Sequence, residues 1–233
     1  MIRNGVHETG FRVGIQDLMY RVYGWMFVGL ALTASVAYFI ATSPRLITLL
    51  YTSWWPLLLV VVIQFALVII LSAFLTRLSF FTAAALFVLY SLTMGATMAS
   101  VFLVFTSSSI FVTFLVSAGM FGAMSLYGYF TQADLSKLGS ILVMGIIGVI
   151  IATLVNYFVQ SSRFDMIISF VGVIIFTLLT AYHTQRIKQI AQQLIADHET
   201  MGKVSLFGAL TLYLDFINLF LFLLRFTGQR RSE

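Results

Sequence analysis

Cysteine is absent from the 233 residues, which excludes disulfides, thiolate chemistry and cysteine-based zinc sites. Charge is scarce: Asp, Glu, Lys and Arg make up 9% of the chain, where a soluble domain carries about 25%. The 13 basic and 8 acidic residues are separated by long uncharged runs, too sparse for a nucleic-acid groove. Proline occurs only as Pro44 and Pro56, both at the edges of apolar runs, so no membrane helix is expected to kink at proline. The first 21 residues scatter Arg3, Glu8, Arg12, Asp17 and Arg21 without a compact apolar core, so no cleavable signal peptide is expected.

Apolar residues fill the place of charge. They form 61% of the chain, with a mean hydropathy of +1.03. A soluble monomer cannot bury that much apolar surface, so the solvent must be partly lipid. A membrane helix needs about 20 mostly apolar residues. Seven stretches qualify: Tyr23 to Thr42, Pro56 to Leu75, Phe80 to Val104, Ile110 to Phe130, Leu138 to Val159, Met166 to Tyr182, and Val204 to Leu224. The uncharged stretch from Leu78 to Ala133 is too long for one span, and Thr106-Ser107-Ser108-Ser109 is its natural turn. Continuous runs without alternation exclude a membrane β-barrel. The chain therefore reads as an all-α membrane protein in three parts. Residues 1–22 form an N-terminal interfacial segment, residues 23–224 the seven-helix domain and residues 225–233 a short basic tail.

Phe11, Ile15, Leu18, Met19 and Val22 repeat at helical spacing, as in a short interfacial helix; a frayed tail fits equally. Trp25, Trp54 and Trp55 lie near span ends, where an aromatic belt would place them. Gly95 with Ala96 and Ala99, Ala118 with Gly122, and Gly145 with Gly148 are read as close-packing positions. After the sixth span, Ile187, Ile190, Ala191, Leu194 and Ile195 continue an amphipathic helix, and Asp197-His198-Glu199 make a solvated polar turn.

Basic residues set the orientation. Eight lie on the N-terminal side of the spans: Arg3, Arg12, Arg21, Arg77, Lys137, Arg186, Lys188 and Lys203. Arg45 and Arg163 lie opposite, and Arg225, Arg230 and Arg231 follow the seventh segment. Full crossing gives eight against five, and a returning segment eleven against two. Both put the N-terminus in the cytoplasm, and the rule prefers a seventh segment that crosses weakly or not at all.

Polar groups inside the spans are few. Asp215 is the only acid deep in any span, with Thr211 and Asn218 on its helical face. Intramembrane carboxylates often mark ion or proton pathways; a protonated Asp215 hydrogen-bonded between helices is the structural alternative. His183 closes the sixth span, where a lone histidine is by default a capping or interfacial residue. Gln64 and Asn156 are expected to bond between helices, and Arg77 to snorkel to the headgroups. No lysine lies inside a span to form a retinal Schiff base. His183 and Asp215 alone are too few for a buried zinc hydrolase, and no Gly-x-Ser-x-Gly elbow exists. The chain is not expected to be an enzyme or to carry a cofactor.

Tyr213-Leu214-Asp215-Phe216-Ile217-Asn218-Leu219-Phe220, followed by Leu223-Leu224-Arg225, resembles the last helix of the Bax inhibitor-1 family, the transmembrane BAX-inhibitor-motif proteins. Thr180-Ala181-Tyr182-His183-Thr184-Gln185 resembles the end of its sixth helix. Tyr23-Gly24-Trp25-Met26 with Gly29-Leu30 resembles the first helix of bacterial members. The resemblance implies a bundle of six helices around a central seventh, in a bacterial inner membrane. It implies a pH-sensitive calcium leak, switched by carboxylates on the sixth and seventh helices and latched by an arginine of the second. Asp215 matches the seventh-helix carboxylate, and Arg77 is the candidate latch. The sixth-helix position is His183 instead of Asp, and Gln64 is the polar residue nearest to an acid that some members carry in the second helix. One carboxylate makes a weak calcium site. Three functions therefore compete: a cation leak through Asp215, a proton-coupled transporter using His183 and Asp215, and a regulator of membrane proteases or death-pathway proteins.

Overall fold

The structure is a computed structural model that describes residues 2–75, 77–193 and 198–231, with side chains over 14–75, 77–192 and 200–231. Eight helices make up the described chain: α1 (Ile2–Thr42), α2 (Pro44–Tyr51), α3 (Trp54–Ala73), α4 (Phe80–Val104), α5 (Ser107–Phe130), α6 (Ser136–Val159), α7 (Ser162–Gln193) and α8 (His198–Thr227). All but α2 are long and apolar enough to cross a membrane. They form two compact units, Met1–Val104 with Ile190–Tyr213, and Phe105–Gln189 with Leu214–Glu233.

In the first unit the predicted interfacial segment is the opening of α1 itself. Ile15, Leu18, Met19 and Val22 are buried, so their stripe faces protein and the helix runs unbroken past residue 22. Phe11 lies outside the described side chains. Arg21 donates to Asp17 at 3.0 Å on the exposed side of the same helix. The short helix α2 was not expected. Pro44 at its first turn supplies a pre-set φ and lacks only an N–H that would be orphaned there anyway.

Glycine lets α1 and α4 pack closely. A Cβ at Gly95 would stand 2.6 Å from Val36 Cβ and 2.8 Å from the Thr33 carbonyl. Trp25 packs edge-on against Phe80 and Phe87 at 6.2 Å, so it serves this interface; the stacked Trp54 and Trp55 stay exposed. Gln64 reaches Thr97 at 2.8 Å, the expected bond from α3 to α4.

The second unit holds α5, α6, most of α7 and the last half of α8. The predicted Thr106 turn ends one helix and caps the next, its hydroxyl accepting from the Ser109 N–H at 3.3 Å. Asn156 does not bond between helices. Its side chain accepts from the Ser161 N–H at 3.1 Å and closes the end of α6, where Gln160 takes a left-handed φ of 54°. The amide is spent on backbone that the turn leaves unpaired. As expected, α7 runs on past Tyr182, and Ile187 and Ala191 are buried. Leu194, Ile195 and Asp197 lie outside the described residues, as do the side chains of His198 and Glu199.

The C-terminal tail lies against the start of α5. Phe105 bridges Arg230, the Thr106 N–H donates to Gln229 at 3.0 Å, and the Gln229 N–H donates to Ser109 Oγ at 2.9 Å. The seventh segment, within α8, is long and apolar enough to cross a membrane.

Candidate functional site

The second unit brings His183 and Asp215 together. His183 Nδ1 lies 2.6 Å from Asp215 Oδ2. The Asp215 side chain is 4% exposed and that of His183 22%. The pair explains why α8 tolerates an acid among Leu, Phe and Ile: a buried carboxylate needs a partner, and α7 supplies one. The capping role expected of a lone His183 is therefore corrected.

Each helix fixes its member tightly. Beside Asp215, Phe216 packs edge-on against Phe114 and Phe121, both at 5.6 Å, and Leu219 is fully buried. On α7 the backbone of Ala181 rests on Gly128, where any Cβ would collide with the Ala181 carbonyl. The Tyr182 ring lies 5.1 Å from His183 and fills the space that a Cβ on Gly139 would need. Arg186 donates to Tyr182 Oη at 2.9 Å.

The next turn of α7 grips the segment between α5 and α6. Gln185 accepts from the Leu135 N–H at 2.9 Å and donates to the Ala133 carbonyl at 2.8 Å. Lys188 donates to the Tyr129 carbonyl at 2.6 Å and lies 5.1 Å over the Tyr129 ring. In the same segment Asp134 accepts from the Ser136 N–H, which holds its carboxyl below the usual carboxylate range. Sequence reading missed this grip. Gln185 stands in the quoted sixth-helix motif, but nothing in a lone glutamine names backbone fifty residues away as its partner.

The other expected site residues lie elsewhere. Asn218 donates to the Leu214 carbonyl and Thr211 to the Phe207 carbonyl, so both serve their own helix. Thr211 and Gln64 belong to the first unit. Arg77, also there, is exposed at the end of α3 with its guanidinium 5.9 Å from the Phe74 ring centroid. Tyr213, two residues before Asp215, was not singled out. It is fully buried and meets Thr33 Oγ1 at 2.6 Å. Thr33 donates its only hydroxyl proton to the Ser91 carbonyl at 2.9 Å, so Tyr213 is the donor between them. The bond holds α8 to α1 and, through Ser91, to α4.

The pair has chemistry of its own. An imidazole and a carboxylate at 2.6 Å can hold two, one or no transferable protons, with net charge +1, 0 or −1. Among the described residues no three His, Asp or Glu side chains gather to hold a metal ion. Calcium takes six to eight hard oxygens as a rule, and the pair offers one carboxylate.

Comparison with known proteins agrees with the last-helix motif. The family described as "Inhibitor of apoptosis-promoting Bax1" matches residues 15–232. The inner membrane protein YbhL of Escherichia coli is 50% identical over 221 residues, covering 94% of each chain. An uncharacterized protein of Borreliella burgdorferi is 45% identical over 91% of this chain and 92% of its own. One of Deinococcus radiodurans is 42% identical over 93% and 92%. With the family matched across all seven spans and relatives of full length, the chain is a multi-pass integral membrane protein and belongs to the Bax inhibitor-1 family.

Proposed function

We propose that the protein is a pH-sensitive cation leak of the membrane, gated by the His183–Asp215 pair, and neither an enzyme nor a cofactor carrier. The observation that carries this reading is the 2.6 Å contact between an imidazole and a carboxylate inside two spans. The sign follows from charge. At low pH the pair holds both protons, its net charge is positive and a cation is repelled. As pH rises the protons leave, the site becomes negative and a cation is drawn in. The leak opens towards alkaline pH. Calcium is the ion implied by the family, and its affinity is weak with a single carboxylate. The relative named an inner membrane protein supports the same membrane here, and the excess of basic residues supports a cytoplasmic N-terminus.

A second reading is a proton leak or proton-coupled transporter, and the replacement of an expected acid by His183 favours it. A regulator of other membrane proteins needs no titrating pair. Flux into proteoliposomes, followed with calcium and proton dyes from acid to alkaline pH, separates the three. Calcium flux that grows with pH supports the leak. Proton flux alone supports the second reading, and neither flux supports the regulator.

A further inference from the structure

Among the described residues, four buried hydroxyls of the second unit have no hydrogen-bond partner: Ser117, Ser125, Ser169 and Thr184. All are at least nine-tenths buried. A serine or threonine inside a helix has an easy partner in the carbonyl one turn back. Thr153, Thr177 and Thr180, in the same unit, take it at 2.6–2.9 Å. Buried hydroxyls of the first unit are also bonded, Thr33 to Ser91 and Ser91 to Phe87. The four exceptions do not make this bond, and together such orphans would cost a large share of a domain's stability if dry.

Their placement is ordered. Ser117 and Ser125 share one face of α5 with Phe121 and Gly128. Phe121 meets Phe216 of α8 and Gly128 meets Ala181 of α7, so this face looks at both helices. Ser169 shares a face of α7 with Gly172 and Phe176, and those two pack on Phe222 of α8. The C-terminal end of α8 lies beside the starts of both helices, through Gln229 with Thr106 and Arg225 with Asp165 at 3.5 Å. Ser117, Ser125 and Ser169 therefore follow two parallel helices, facing the half of α8 that carries Asp215. Thr184 stands next to His183.

We propose that these hydroxyls line a file of bound water running along α5 and α7 from the C-terminal end of α8 to the His183–Asp215 pair. A hydroxyl offers one donor and two acceptor sites, and a buried water needs two to four partners, so each side supplies what the other lacks. Ser117 and Ser125 are eight residues apart, about 12 Å along the helix. That spacing suits a chain of waters, with hydroxyls as occasional anchors. It cannot gather the six to eight oxygens of a calcium shell. The file is thus suited to bring the protons that charge and discharge the pair, and not to carry the leaking cation. What it carries rests on the gating role proposed above; its hydration does not.

Radiolytic hydroxyl-radical footprinting of the unaltered protein in liposomes reads bound water directly, because the radicals form from it. Phe121 and Phe216 are 6% and 4% exposed and should be oxidised roughly tenfold faster than Phe87, fully buried in the first unit. In parallel, Ser117→Cys and Ser125→Cys should react with a small aqueous methanethiosulfonate reagent, and Leu212→Cys should not. Oxidation of Phe121 and Phe216 no faster than that of Phe87 would overturn the file. If the cysteine variants do not fold, the footprint decides alone. A hydrated file in a protein without pH-dependent flux would refute the gating role and leave the file standing.

Discussion

His183 and Asp215, thirty-two residues apart and on different helices, face each other at 2.6 Å with the carboxylate almost wholly enclosed. If their shared protons set the gate, Asp215→Asn should abolish the pH dependence of flux. The amide keeps the size and can still accept from the ring, so the fold should survive. Thermal unfolding and dye flux on the same preparation check both halves. A pH-dependent flux equal to the parent's would show that Asp215 does not set the gate.

His183→Asp should strengthen calcium binding. A second carboxylate adds hard oxygens where the imidazole offers none, and like charges held together favour a divalent ion between them. About tenfold tighter binding, ~1.4 kcal/mol, is expected from isothermal titration. Equal calcium binding and flux at every pH would show that His183 does not face the ion.

The start of α6 and the C-terminal tail should label from opposite sides. The chain has no cysteine of its own, so Lys137→Cys and Arg231→Cys give clean signals. An impermeant thiol reagent should reach Arg231→Cys from outside the cell and Lys137→Cys only after the membrane is opened. Labelling of both from one side would establish a returning seventh segment.

Gly128→Ala should prevent stable folding or cost several kcal/mol, because the new methyl meets the backbone of Ala181 and backbone cannot swing aside. Gly148→Ala meets nothing within 4 Å and should stabilise α6 by about 0.5–1 kcal/mol through helix propensity. Unfolding in mixed micelles measures both. Equal effects would show that α5 and α7 do not approach this closely.

Gln185→Ala should cost about 2 kcal/mol, since it removes two hydrogen bonds and orphans the Leu135 N–H and the Ala133 carbonyl. The same unfolding assay reads it. Faster hydrogen exchange confined to residues 131–135 would locate the loss. No change in either would show that the segment is held without Gln185.

Much of this protein could be read before any coordinates. Lipid leaves a backbone no water to bond, so long apolar runs must be helices, and their lengths alone located all seven. The Thr106 turn, the continuation of α7 and the Gln64 bond followed from the same local chemistry. The last-helix motif around Asp215 was also legible, because a carboxylate in a span is too costly to be incidental.

Only the tertiary structure decided which polar groups meet. His183 alone looked like a helix-end residue; with α7 laid against α8 it is the partner of the buried acid. Thr211 and Asn218, on the face of Asp215 by spacing, turned to their own carbonyls. Asn156 closed a turn where a bond between helices was expected. Gly128 and Gly148 look alike in sequence, yet one touches backbone and the other open space. Hydropathy is a property of one helix and can be summed along the chain. Pairing belongs to two helices, and depends on their register and rotation, which packing alone sets.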